Sequence, residues 1–416
     1  MLASIIFCGC MKENLNNDNY SSAAEITVSS SSTTDVTIPQ NVSAVSSTNV
    51  YATTTVTTSA IVTLETNITS TTSQSTTITK NPYVDYTLDT VTVLDNHKKY
   101  ESWPKVMYDE ETENLLTVYS SGIDHANNYK DIYLAIYNNG DITYRLIDVG
   151  NEYSLKPIGI FKYDSQYVIF ATCAPYFVDY VKTIYRYVSD DLNTWVRTTV
   201  NFPFNTDLTG AINIDNVRII EERVFANLSY YENGKAYICY SDDYGLTWER
   251  TAELEYDSSF IPCECAFFKI NERIIILGRK DIPISPNPTP LYFSYSDDNG
   301  ETWSKFVDTE GITNANSSNL SIIEYCDGKI AVIFASRHSE SPGVYLSLTN
   351  FSDAYNGIFE NPIKLNDGYP NADFGYPNAA KAGESIFYAY YSKSPYDDGS
   401  VASIYINWLN IKNAYD

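Results

Sequence analysis

The sequence is short of positive charge. Its 416 residues carry 27 Lys and Arg against 52 Asp and Glu, a formal net charge of −25. A nucleic-acid partner needs a basic footprint, so that class is excluded. The same field repels an acidic glycan at long range, and any anionic ligand must be held by a local cluster of arginines. Histidine is scarce: His97, His125 and His338 are the three in the chain, and no two have metal-ligand spacing. No cysteine pair has zinc-ribbon spacing either, so neither a metal site nor a cofactor is expected. The seven cysteines include five scattered along a long domain, Cys173, Cys239, Cys263, Cys265 and Cys326, which is not a disulfide framework. Cys263 and Cys265 are two apart, share a strand face, and are poorly placed to bridge each other. The apolar start, Met1–Met11, is too short to span a bilayer.

What is abundant is tyrosine, 37 residues in a chain that is 14% aromatic and 44% hydrophobic. A sizeable core is available, and tyrosine at this density favours the pleated surface of a sheet. The start, MLASIIFCGCM, resembles a bacterial lipoprotein cleavage site with Cys10 as the lipidated residue, although the usual basic n-region is missing. Residues 1–19 are read as this anchor segment. Residues 20–81 form a Ser/Thr-dominated tract with few large apolar residues, which cannot offset its ordering entropy by burial. It reads as a disordered stalk between an anchor and a domain at residues 82–416. A domain on a tether belongs outside the cell, at the cell surface, and touches a membrane only through its lipid. It is read as a monomer.

From Pro82 onward, short β-branched and aromatic runs alternate with Gly/Asn/Asp turn signals, without a convincing helical stretch. A repeat runs through them. Tyr240-Ser-Asp-Asp-Tyr-Gly-Leu-Thr-Trp248 and Tyr295-Ser-Asp-Asp-Asn-Gly-Glu-Thr-Trp303 share Ser-x-Asp-x-Gly-x-Thr-Trp. Val188-Ser-Asp-Asp-Leu-Asn-Thr-Trp195 is one residue shorter, and Asn139-Gly-Asp-Ile-Thr-Tyr144 is a weaker echo. The spacing is roughly 50 residues, the size of a four-stranded propeller blade. These motifs resemble the Asp boxes, or BNR repeats, of the sialidase superfamily, over about residues 83–413. The resemblance implies an all-β fold, a six-bladed β-propeller. In that setting Asp191, Asp243 and Asp298 are structural: each sits at a hairpin tip between the third and fourth strands of a blade and bonds turn amides. Gly there allows positive φ, and Trp packs under the next strand. The blades run near Ser102–Val149, Ser154–Val200, Ala211–Leu254, Pro262–Val307, Ser317–Leu365 and Tyr376–Asn410. Val84–Leu94 is expected to supply the sixth blade's missing strand and so remove an exposed edge.

Two arginines fall at matching places in successive repeats. Arg279 ends Ile274-Ile-Ile-Leu-Gly-Arg279 and Arg337 ends Ile330-Ala-Val-Ile-Phe-Ala-Ser-Arg337. In a chain this acidic, such a pair suits bidentate capture of a carboxylate. The bland alternative pairs each with an acidic neighbour, such as Asp281 or Glu340. Glu264, a lone carboxylate in the apolar run Pro262-Cys-Glu-Cys-Ala-Phe-Phe268, needs a partner or a raised pKa. Sialidases carry a glutamate at about this interval before an arginine, and a nucleophilic tyrosine where this chain has Tyr376. A phenol with a glutamate as base avoids the repulsion a carboxylate nucleophile would feel from a sialoside. Among 37 tyrosines, one landing here by chance is the alternative. The resemblance assigns the acid/base to Asp124 in Ser120-Ser-Gly-Ile-Asp-His-Ala-Asn-Asn-Tyr-Lys130, with His125 beside it to donate the proton or bind a hydroxyl.

One departure stands out. Exo-sialidases begin their first blade with Arg-Ile-Pro, and this chain has Ser102-Trp103-Pro104. The first arginine of the family's carboxylate-binding triad is replaced by Ser102, and simple alternation turns Lys105 to the other face. Trp103 is either a stacking platform for a pyranose ring or a buried blade tryptophan. The reading is a retaining glycoside hydrolase for sialic acid or a related acidic sugar on glycans. The alternatives are a non-catalytic glycan-binding propeller and a hydrolase of a neutral plant glycan such as arabinan.

Overall fold

The computed structural model describes residues 99–412 apart from short segments between strands, together with the strands Ser59–Val62, Ser73–Gln74 and Asp85–Val93. Cys10 and most of residues 1–81 lie outside the described residues. Within the tract read as a stalk, Ser59–Val62 pairs antiparallel with Thr194–Arg197, and Ser73–Gln74 pairs with Thr90–Val91. Short strands of this kind cover outer sheet edges that would otherwise present unpaired backbone groups.

The described chain is all β apart from one turn of helix, Phe351–Ala354. Strands such as Arg273–Lys280 (RIIILGRK) and Lys329–Ser336 (KIAVIFAS) are buried on both faces. They therefore read as unbroken apolar runs, not as alternation, and carry sheets packed on two sides.

The strands form successive antiparallel meanders. The first is Tyr100–Asp109, Asn114–Gly122, Lys130–Asn138 and Asp141–Asp148. The next four open at Tyr153–Tyr163, Ile212–Ile220, Pro262–Ile270 and Leu320–Cys326. The last has three strands in order, Phe374–Ala382, Ser385–Lys393 and Ala402–Lys412. Asp85–Val93 completes it, running antiparallel along Ala402–Lys412, the pairing expected for Val84–Leu94. The opening strands pack on one another in sequence, and the last packs on the first. Val106 N donates to Asn378 Oδ1 at 2.8 Å across that junction, and Cys265 N to Asn227 Oδ1 at 3.1 Å between the third and fourth meanders. No sheet closes on itself through strand hydrogen bonds among the described residues.

Four opening strands share an irregularity. Each has a bulge, and inside it lies a non-glycine residue in the left-handed region: Trp103 (φ 57°), Asn216 (51°), Glu264 (50°) and Tyr376 (52°). Left-handed geometry costs an L-residue roughly 1–2 kcal/mol. A bulge re-aims a side chain that alternation would have sent to a sheet face.

The Asp-centred turns sit between third and fourth strands, as expected. Asp243 Oδ1 accepts from Leu246 N (3.0 Å) and Thr247 N (2.8 Å), while Oδ2 accepts from Thr247 Oγ1 at 2.6 Å. Asp298 holds Thr302 the same way, and Asp191 accepts from Asn193 N and Thr194 N. The tryptophan lies otherwise than expected. Trp248 donates Nε1 to Gly245 O and rests on Phe170 and Phe202, side chains of the preceding meander. Asn139-Gly140 is no such turn but a two-residue hairpin, with both residues at positive φ and Asn138 opposite Asp141.

Two meanders meet closely at Gly245 (φ +85°), since a Cβ there would lie 2.1 Å from Phe170 Cζ. Gly245→Ala is predicted to cost about 2–4 kcal/mol, strain plus overpacking. Gly234→Ala, also left-handed but with nothing within 4 Å, isolates the strain at about 1 kcal/mol. Urea denaturation of the two variants measures the difference.

Candidate functional site

The bulges bring Glu264 and Tyr376 together from separate meanders. The Tyr376 hydroxyl donates to Glu264 Oε1. Arg279 Nη1 donates to Glu264 Oε2 at 2.9 Å, and Arg279 Nη2 lies 3.5 Å from Asp281. Arg279 and Glu264 are fully enclosed, so this pair interacts with little solvent screening. Sequence reasoning placed Glu264, Arg279 and Tyr376 in one site, and the structure joins all three in one hydrogen-bonded set.

A second set gathers around Asp373. Arg337 Nη2 donates to Asp373 Oδ1 at 2.9 Å and to the Tyr391 hydroxyl at 2.9 Å, and Arg337 Nε donates to Phe374 O. His125 Nδ1 lies 2.6 Å from Asp373 Oδ2, and the Tyr100 and Tyr391 hydroxyls also donate to this carboxylate. Burial alone would raise the Asp373 carboxyl, but His125 and Arg337 hold it well below the usual carboxylate range. Burial, with Tyr391 and Asp373 nearby, pushes the Tyr100 phenol far up. Arg337 is thus engaged by an acid, though by Asp373 and not by Glu340.

Trp103 stands between the sets. Its ring meets the His125 ring edge-on at 5.2 Å, and Lys130 Nζ and Lys156 Nζ lie 5.0 and 5.4 Å from its centroid. Lys156 also lies 5.0 Å from the Tyr376 ring, within cation–π reach. The tryptophan is buried, and Ser102 beside it is fully so. Asp124 joins this region through its main-chain carbonyl, which accepts from Lys130 Nζ.

A polar layer forms the floor. Asp215 accepts from Lys105 (2.7 Å) and Lys156 (2.8 Å), one on each oxygen. Lys105 also donates to Asn216 Oδ1, and Asn216 Nδ2 donates to Asn319 Oδ1. Alternation had turned Lys105 away. The bulge at Trp103 adds a residue and cancels that alternation, so Lys105 points at Asp215. Burial pulls the Lys105 pKa down, with Asp215 working against it. Burial likewise pushes Asp215 up, but the two lysines outweigh it and hold its pKa at about 2.

Asp215, Asn216, Lys156 and Asp373 were missed in the sequence. Ile212-Asn-Ile-Asp-Asn-Val-Arg-Ile-Ile220 carried a signal, since polar residues interrupt an opening strand at the step of Glu264. Asp373 carried none, because it precedes its strand in a loop.

No family model and no curated protein matches the sequence. Solved structures do match in shape. A protein of unknown function from Dyadobacter fermentans superposes with a TM-score of 0.64 at 16% identity, over 78% of this chain and 98% of that one. Phage phi92 endosialidase gives 0.60 at 11% identity, over 80% and 70%. Trypanosoma rangeli sialidase, in complex with the inhibitor DANA, gives 0.54 at 12%, over 74% of this chain and 55% of the sialidase. At these identities the likeness is one of fold: the chain has a sialidase-like, all-β architecture.

Asp215 makes acid stability a test of the floor. Its pKa is about 2 in the folded protein against an ordinary 3.8, so the unfolded chain takes up the proton first. Its contribution is full above pH 4 and is lost as pH falls through 2, an effect on the order of 2 kcal/mol. Asp215→Asn is predicted to destabilise by about 3–5 kcal/mol at neutral pH, leaving the buried Lys105 and the half-buried Lys156 without their acid. It should also flatten the slope between pH 4 and 2, which urea titrations at stepped pH would show.

Proposed function

We propose that the domain is a six-bladed β-propeller with Asp-box turns, and that it acts as a retaining glycoside hydrolase on sialylated or related acidic glycans. The observation that carries this reading is the Tyr376–Glu264–Arg279 set. Arg279 fixes one Glu264 oxygen, which leaves the other to take the Tyr376 proton. The phenol oxygen attacks the anomeric carbon while the leaving oxygen receives a proton from Asp124 or His125. Water, giving its proton back to that Asp124 or His125, then cleaves the tyrosyl–sugar bond, and the phenol regains its proton from Glu264. The sugar carboxylate is received by Arg337 and Lys156, against a chain charge of −25. Trp103 and His125 line the sugar's berth. The likeness in fold to a sialidase and an endosialidase supports the reading. With it goes a setting at the cell surface, on a Cys10 lipid anchor and a Ser/Thr tether, with a glycan as partner.

One observation favours the second reading, a glycan-binding propeller without turnover. Arg337 already holds Asp373, and Ser102 stands where the family's first arginine would be. A neutral-glycan hydrolase has less support. It calls for a carboxylate facing Glu264, and the equivalent bulges carry Trp103, Asn216 and Tyr376.

Hydrolysis of a fluorogenic sialoside and of arabinan, assayed side by side, tests the proposal. Sialoside turnover is expected, falling about 10²–10⁴-fold in kcat for Glu264→Gln or Tyr376→Phe. Full activity in the double variant would sink the assignment, and binding of sialylated glycans without release would favour the second reading.

A further inference from the structure

Beyond the floor, the opening strands continue and enclose a cavity of about 480 Å³ lined by all six meanders. Its charge runs against that of the chain. Lys105, Lys162, Arg218 and Lys381 line it, with Glu324 as the lining carboxylate. Lys105 is committed to Asp215, and Lys162 to Asp109 and Glu111. Glu324 accepts from the Gly328 amide.

Arg218 is different. It sits two residues past the Asn216 bulge, the step Lys105 occupies past Trp103. Lys105 turns to Asp215, whose two oxygens are taken by Lys105 and Lys156. Among the described residues no ion pair or hydrogen bond to a carboxylate is found for Arg218. Among the described residues Arg186 and Arg250 likewise show no carboxylate ion pair, but of these three Arg218 alone lines the cavity, in a chain with nearly two acids for each base. Arg218 is open to solvent in the cavity but is surrounded by protein. Asn378, at the same step in the last meander, lines the same space. Its Oδ1 accepts from Val106 N, which leaves its Nδ2 as a donor.

We propose that the cavity is a binding site for a small oxyanion, a carboxylate or a sulfate-like ion, held by the Arg218 guanidinium with Asn378 Nδ2 as a second donor. The planar fork of arginine matches two oxygens of such an ion. The ion would tie the third meander to the last and offset the charge of Arg218. This site stands apart from the Arg279 and Arg337 sets and does not depend on the hydrolase reading.

Thermal unfolding in sodium sulfate or sodium acetate, at ionic strength held constant with chloride, is the test. Either probe should raise the wild-type Tm saturably, by about 3 °C. Arg218→Met should lose the rise, Arg218→Lys should need at least ten times more anion, and Arg337→Met should keep it. Sialoside hydrolysis, where present, should be unchanged in Arg218→Met. Crystals soaked in selenate should show an anomalous peak at the Arg218 guanidinium. An unsaturable rise shared by wild type and Arg218→Met would overturn the proposal, as would no rise with either anion or selenate only at Arg279 or Arg337.

Discussion

A β-bulge recurs at one step of four opening strands, and each time it forces a non-glycine residue into the left-handed region. Regular pleating would send these side chains into the cores between meanders, where Ile214, Val217 and their like belong. The bulge breaks the alternation for one residue and returns to it afterwards. In this way a strand devoted to packing also delivers Trp103, Asn216, Glu264 or Tyr376 to the site. The strain, of order 1–2 kcal/mol per residue, persists because the flanking ladder resumes on both sides. Arg279 and Arg337 reach the same region from the ends of second strands, with no bulge of their own.

Charge is the second constraint, and it follows from the first. Bulged residues from several meanders meet where solvent is scarce, so each ionised group needs a partner at hydrogen-bond distance. Asp215 serves two lysines, Glu264 serves Arg279 and Tyr376, and Asp373 serves Arg337, His125, Tyr100 and Tyr391. The acidic surface of the chain contributes little to this balance, because exposed charges are screened within about a Debye length. The cations of the site, Arg337 and Lys156 among them, are therefore balanced locally inside a protein of net charge −25.

How far the sequence could be read depended on whether the signal was local. The Asp-centred turns are complete within nine residues, so their Ser, Asp, Gly, Thr and Trp announced both the turn and the repeat. Arg279 and Arg337 were legible because each ends an apolar run. Lys105 was misread because a bulge is invisible to a period of two, and one inserted residue reverses every side chain beyond it. Arg337's partner escaped the sequence for a different reason. Asp373 lies 36 residues away in sequence, and the packing of the last meander on the fifth brings it there. Such partners are products of topology, and no window of local sequence contains them.

The same distinction separates what the fold requires from what chemistry requires. A tyrosine is not needed to fill the bulge between Gly375 and Asn378, since tryptophan, asparagine and glutamate fill its counterparts. Nor does packing call for a carboxylate at Glu264, whose flanking residues Cys263 and Cys265 are buried thiols. Placing an acid there obliges the chain to supply Arg279, and placing a phenol opposite gives that acid a proton to share. The set strains the backbone twice and buries an ion pair where apolar side chains would serve stability as well, and that cost is the physical ground on which the proposed hydrolase reading rests.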